Sequence, residues 1–234
     1  MLEKIYTIPI NEAFDASAED HSKGCPFCAL YEKFENDQLE IILGASMMEP
    51  DIRIKTNEQG FCHRHYDKMF HMKNRLGMAL MLESHLNELR EDIGGASFSE
   101  IFSGKGSKAV GRIEKLEGSC YICERVEYNM QRMFENAAGL WEADKAFDKK
   151  IEAQPYFCLE HYRRFIEAGQ KNINKRRFAD FYKRVSDTEI KYFDKLREDV
   201  SWFCKKFDYR YENEPWKDSK DAVERAILFL TGRN

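Results

Sequence analysis

A repeated set of metal-ligand spacings constrains this chain more than any other feature. Cys25-Pro-Phe-Cys28 is followed by Cys62-His-Arg-His65, and Cys120-Tyr-Ile-Cys123 is followed by Cys158-Leu-Glu-His161. The CxxC pairs begin at 25 and 120 and the CxxH pairs at 62 and 158, so both motifs recur at nearly the same offset. Six of the seven cysteines fall into this pattern, which leaves one thiol for any other purpose. Two cysteines separated by two residues can aim both sulfurs at one ion from a tight turn. A CxxH pair at a helix start puts its two side chains one turn apart on the same face. Zinc takes four tetrahedral nitrogen and sulfur ligands, and Cys3His is a closed set of that kind.

The spacing therefore predicts two zinc ions per chain, held by Cys25, Cys28, Cys62 and His65, and by Cys120, Cys123, Cys158 and His161. Pairing within each half is expected, because closing a short loop costs less entropy than closing a long one. His63 aligns with Leu159 and is not expected to bind. Structural zinc is the leading reading. An iron–sulfur centre on the same ligands, thiol redox chemistry through CxxC, and catalytic zinc stand behind it. Four protein ligands leave no open position for the last. Covalent haem is not expected, since Ala29 and Glu124, not histidine, follow the two CxxC pairs. No residue set points to catalysis, and the expectation leans away from an enzyme.

The fold class expected is all-α: a pseudo-duplicated helical protein with two Cys3His zinc-stapled repeats. Glycine (13) and proline (5) are scarce, which favours helix. The predicted organisation is a first zinc repeat over 1–93 with an extended N-terminal segment, a Gly/Ser-rich linker over 94–111, and a second repeat over 112–234 with a helical extension. Residues 1–23 read as extended, anchored by Ile5, Ile8, Ile10 and Phe14. Helices are expected from Cys28 to about Leu43, in one long run from Cys62 to Gly94, and along the Val126, Met130, Phe134, Ala137 face. A further helix runs from His161 to Trp202, with a break near Gly169 or Asn174. The tail suggests an amphipathic helix from Ser219 to Leu230, with Ala222, Ala226, Ile227 and Leu230 on one face. Gly104-Lys-Gly-Ser-Lys108 fails the phosphate-loop pattern and reads as loop.

The formal charge of −4 falls to about −6 with two zinc ions on six thiolates. A protein that mainly grips phosphate backbones carries the opposite sign. The basic run Lys171, Lys175, Arg176, Arg177, Lys183, Arg184 interleaves with aromatics, so a nucleic-acid face over 171–184 is the alternative to a solvated helix back. The N-terminus lacks signal-peptide character and no apolar stretch spans a membrane, so the cytoplasm is the expected compartment. There CxxC reads as a metal or redox site. The expected role is a non-enzymatic binding or regulatory module with a protein partner; a redox- or metal-responsive thiolate–zinc switch is the third reading. His71 and His85 are expected to face solvent, and Cys204 to be a small buried hydrophobe.

Over its whole length the chain resembles a family of uncharacterised proteins of clostridia and related Gram-positive bacteria. The resemblance is carried by TIPINEAF, CPFC, SMMEPDIR, GFCHRHY, NRLGMALMLESHL, CYIC, YFCLEHY and AVERAILFLTG. It implies duplicated CxxC and CxxH zinc motifs but no activity. Some members carry a label as transporter substrate-binding proteins, which this helical pattern and the missing export signal do not support.

Overall fold

A computed structural model of the protein describes residues 4–94 and 106–232. Among them stand eleven α-helices and no strand: α1 (Lys4–Glu19), α2 (Pro26–Leu43), α3 (Pro50–Gln59), α4 (His63–His71), α5 (Arg75–Gly94), α6 (Gly106–Glu117), α7 (Tyr121–Ala143), α8 (Lys145–Glu152), α9 (Leu159–Asn172), α10 (Lys175–Lys205) and α11 (Ala222–Thr231). The protein is all-α. Its residues gather into two compact units. Unit 1 joins Met1–Glu32 to Met130–Asn234, and unit 2 is Lys33–Asn129. These units do not coincide with the halves 1–93 and 112–234 read from the sequence.

Unit 1 is built on phenylalanine. Phe14, Phe27, Phe134, Phe147, Phe157, Phe165 and Phe181 are all buried. Phe27 touches four of these rings at centroid distances of 4.3 to 5.9 Å, two of them edge-on, as aromatic quadrupoles prefer. This core corrects the N-terminal expectation. Residues 4–19 are helical, because Ile10, Phe14 and Ser17 recur at i, i+4, i+7 and face the core, whereas Ile5 and Ile8 are exposed. Pro9 removes only one hydrogen bond from the ladder.

The long run after His161 is two helices, α9 and α10. Asn174 caps the second, its side chain accepting from Arg176 N–H at 3.0 Å. Gly169 does not break the chain; it lets α10 come close. A Cβ there would lie 2.1 Å from a Phe181 ring carbon. In α11 the buried residues are Ala222 and Phe229, while Ile227 and Leu230 of the expected face are exposed.

Unit 2 packs α3 against α5, with α4 and α6 on α5. The polar stretch 50–59 is a helix because Pro50 opens it at N1 and Gly60, at φ 61, closes it. The expected single helix from Cys62 is broken between α4 and α5. Asn74 makes the break stable: its side chain accepts from Gly77 N–H at 2.8 Å and donates to the Leu43 carbonyl at 2.6 Å. Of the expected linker, 95–105 lies outside the described residues, and Gly106–Gly111 opens α6. Arg112 anchors α6 by donating to the Asn57 and Glu58 carbonyls, both at 2.7 Å. His85 also reaches the Asn57 carbonyl, at 2.9 Å, and so is half-buried rather than solvent-facing; His71 is exposed, as expected.

Candidate metal centres

Each ligand pair sits where a helix begins. Cys62 and Cys158 are the N-caps of α4 and α9, both extended, at φ −69°, ψ 162° and φ −64°, ψ 155°. Neither side chain caps its own helix, so both sulfurs are free to point elsewhere. Three residues on, His65 and His161 face the same way and are fully buried. The CxxC pairs lead into α2 and α7. Cys28 N–H donates to the Cys25 carbonyl, and Gly24 makes the preceding turn at φ 70°. A side chain at Gly24 would collide with Tyr156, whose hydroxyl oxygen lies 2.7 Å from the Cβ position.

The structure draws all eight expected residues into two groups, but exchanges their partners. Cys25 and Cys28 meet Cys158 and His161; Cys120 and Cys123 meet Cys62 and His65. In each group the ligand atoms lie within 4.8 Å of one another. The expected pairing within each half is thus overturned. Loop entropy was the wrong criterion. Cys28 and Cys158 are 130 positions apart, but each doubling of a loop costs only about 0.6 kcal/mol. Burying Phe27 among Phe14, Phe134, Phe157 and Phe165 is worth several times that. The helices leaving each CxxC carry the chain away, and the CxxH that meets it comes from the opposite half.

The spacings fit a tetrahedral ion. Cys28 and Cys158 sulfurs are 3.7 Å apart, and Cys62 and Cys123 sulfurs 3.9 Å. Nδ1 of His161 lies 3.2 to 3.6 Å from its three sulfurs, and Nδ1 of His65 3.2 to 3.4 Å from its own. Zinc–sulfur and zinc–nitrogen bonds of ordinary length require edges of about 3.6 to 3.8 Å. These sulfurs are too far apart for disulfides, and all seven cysteines are free thiols. In both groups the histidine presents Nδ1. His63, exposed, takes no part.

The sulfurs share protons unevenly. Burial pushes the Cys25 thiol far up, while hydrogen bonds from Cys158 and Cys25 hold Cys28 far down. In unit 2 the bond from Cys123 brings Cys120 down to about 3. A divalent ion would replace these shared protons.

The two groups differ behind the histidine. His65 Nε2 lies 2.9 Å from Glu35 Oε1, and the same buried carboxylate accepts from Arg64 and Lys68. Burial works against protonation of His65, but the bonds to Cys120 and Glu35 prevail and lift it to about 9. Burial likewise works against the Glu35 charge, yet His65, Lys68 and Arg64 bring it down to about 2. His161 Nε2 is buried with no hydrogen-bond partner, between the rings of Phe27 and Phe134. Sequence reading missed Glu35. A signal existed: with Leu39 and Ile42 it follows i, i+4, i+7 on the buried face of α2. The position ten residues after the other CxxC start is Met130, which is apolar and buried.

Other candidates resolve differently. Cys204 is exposed, because it lies off the core face of α10. Half of the basic run is engaged within its own chain. Lys183 pairs with Asp187, Arg184 with Asp148 and Glu152, and Arg177 donates to the Glu142 carbonyl while lying over Trp141. Among the described residues, no helix is long and apolar enough to cross a membrane.

A family model matches residues 1–234. The chain belongs to DUF6062, a family of unknown function. No curated protein and no solved structure matches it.

Proposed function

We propose that the protein is a zinc-binding, non-enzymatic module in which two Cys3His zinc ions act as cross-links between distant segments. The observation that carries this is the convergence, twice over, of three sulfurs and one imidazole within 4.8 Å of one another from a CxxC and a CxxH far apart in the chain. Zinc suits that donor set, and a closed set of four leaves it no catalytic position. Unbonded thiols at such spacing fit a reducing compartment, the cytoplasm being the natural one. The function then lies in what the fastened surface contacts. A protein partner is favoured over nucleic acid, because the net charge is negative and Lys183 and Arg184 of the basic stretch are already paired with acids. Exposed aromatics after α10, Phe207 at 76% and Tyr209 at 84%, supply apolar area for such contact.

The test is elemental analysis of protein purified without chelator, together with Cys25→Ser and Cys158→Ser. Two zinc ions are expected in the parent protein and one in each variant. Iron in place of zinc, or less than one metal per chain, refutes the reading.

A further inference from the structure

The two centres are not equally protected. In unit 1, Cys25, Cys28 and Cys158 are 2%, 3% and 0% exposed, and phenylalanine rings pack against the histidine. In unit 2, Cys120 and His65 are buried, but Cys62 is half-buried and Cys123 is exposed. The two accessible sulfurs are also neighbours, 3.9 Å apart. A thiolate reacts with an oxidant only if the oxidant can reach sulfur, and a second sulfur within reach traps the sulfenic acid as a disulfide before it oxidises further. Unit 2 meets both conditions; unit 1 fails the first.

We propose that the unit 2 centre is a hydroperoxide-sensitive zinc site, while the unit 1 centre is inert to the same oxidant; this rests on the zinc reading above. Cys123 Sγ attacks the outer peroxide oxygen. The O–O bond breaks, the alcohol or water leaves with a proton from solvent, and Cys123 becomes a sulfenic acid. The Cys62 thiolate then attacks that sulfur. The S–S bond forms, the S–O bond breaks, and hydroxide departs as water after taking a solvent proton. Two electrons pass from the two sulfurs to the peroxide. The zinc, left with Cys120 and His65, dissociates.

The consequence is local. This centre ties the turn before α4 to the turn before α7, where Tyr121 N–H donates to the Gly60 carbonyl at 3.0 Å and Ser119 Oγ to the Gln59 carbonyl at 2.7 Å. Losing the ion loosens that joint and leaves the phenylalanine core of unit 1 fastened.

The test uses the zinc-loaded full chain carrying Cys204→Ser, which removes the exposed thiol outside both centres. Hydrogen peroxide is added, released zinc is followed with a chromogenic indicator, and disulfides are mapped by peptide mass spectrometry. The expected result is one zinc released per chain, a Cys62–Cys123 disulfide, faster hydrogen exchange over 60–66 and 117–125, and recovery with thiol reductant and zinc. Release of both ions at one rate, release from unit 1 first, or retention of both under conditions that oxidise the unfolded chain overturns the proposal. Protein that binds no zinc before peroxide is added instead refutes the zinc reading itself.

Discussion

Removing the Glu35 carboxylate should weaken one metal centre and spare the other. Glu35 is almost completely buried and accepts from His65, Arg64 and Lys68. The Arg64 and Lys68 side chains are each 40% exposed and can recover water when the carboxylate goes. His65 is fully buried and cannot. The cost therefore falls on the imidazole, whose Nε2–H loses the acceptor that orients Nδ1 toward the sulfurs and raises its basicity. Partners of this kind are worth about 10- to 100-fold in metal affinity, or roughly 1.4 to 2.8 kcal/mol. Glu35→Gln keeps an oxygen near His65 but not the charge, and should fall near the lower figure. Glu35→Ala should fall near the upper one. Competition of the reduced, zinc-loaded protein against a chromogenic chelator reads both ions. The expected trace is biphasic, with only one phase moved by the substitution, because His161 has no such partner to lose. An unchanged trace, or equal weakening of both ions, refutes the assignment of Glu35 as the group that positions His65.

Cys25→Ser and Cys158→Ser should behave alike, each losing the unit 1 zinc, whereas Cys62→Ser should lose the other; pairwise loss of zinc by Cys25→Ser and Cys62→Ser from the same centre would restore pairing within halves. His63→Leu should leave zinc content intact and His65→Leu should lose one ion, read by the same elemental analysis. Gly169→Ala should lower the melting temperature by at least about 3 °C, because a Cβ pressed into Phe181 costs more than the roughly 1 kcal/mol of helix propensity gained; a rise would show that the α9–α10 contact yields. Burial pushes the Glu189 carboxyl up to about 8 against a usual 4.5, only partly offset by the bond from Phe157 N–H. A raised value means that its stabilisation is complete below about pH 4.5 and is lost as pH rises through about 8. Glu189→Gln should therefore flatten the decline in urea-unfolding free energy between pH 5 and 8.5, and an identical decline in parent and variant would refute a protonated Glu189.

The eight residues that gather into the two candidate metal groups were legible in the sequence because coordination chemistry is local: a CxxC or CxxH spacing encodes its own geometry. The helical class was legible too, from periodicities such as Val126, Met130, Met133, Phe134, all buried in the fold. Helix ends were read less well. The break at Met72–Asn74 rests on an asparagine whose role depends on the distant Leu43 carbonyl. Residues 4–19 are helical on account of a core that Phe147 and Phe157 complete from more than 130 positions along the chain. Which CxxC meets which CxxH had no local signature. Identical motifs are interchangeable in sequence, and loop entropy separates the pairings by only about 1 kcal/mol. The packing of Phe27 with Phe134, Phe157 and Phe165 separates them by more, and that packing exists only once the chain has folded. The same holds for Glu35 and for the exposure of Cys123. A sequence specifies which atoms can bind a metal; the tertiary structure decides which of them share an ion, what stands behind the histidine, and which sulfur solvent can reach.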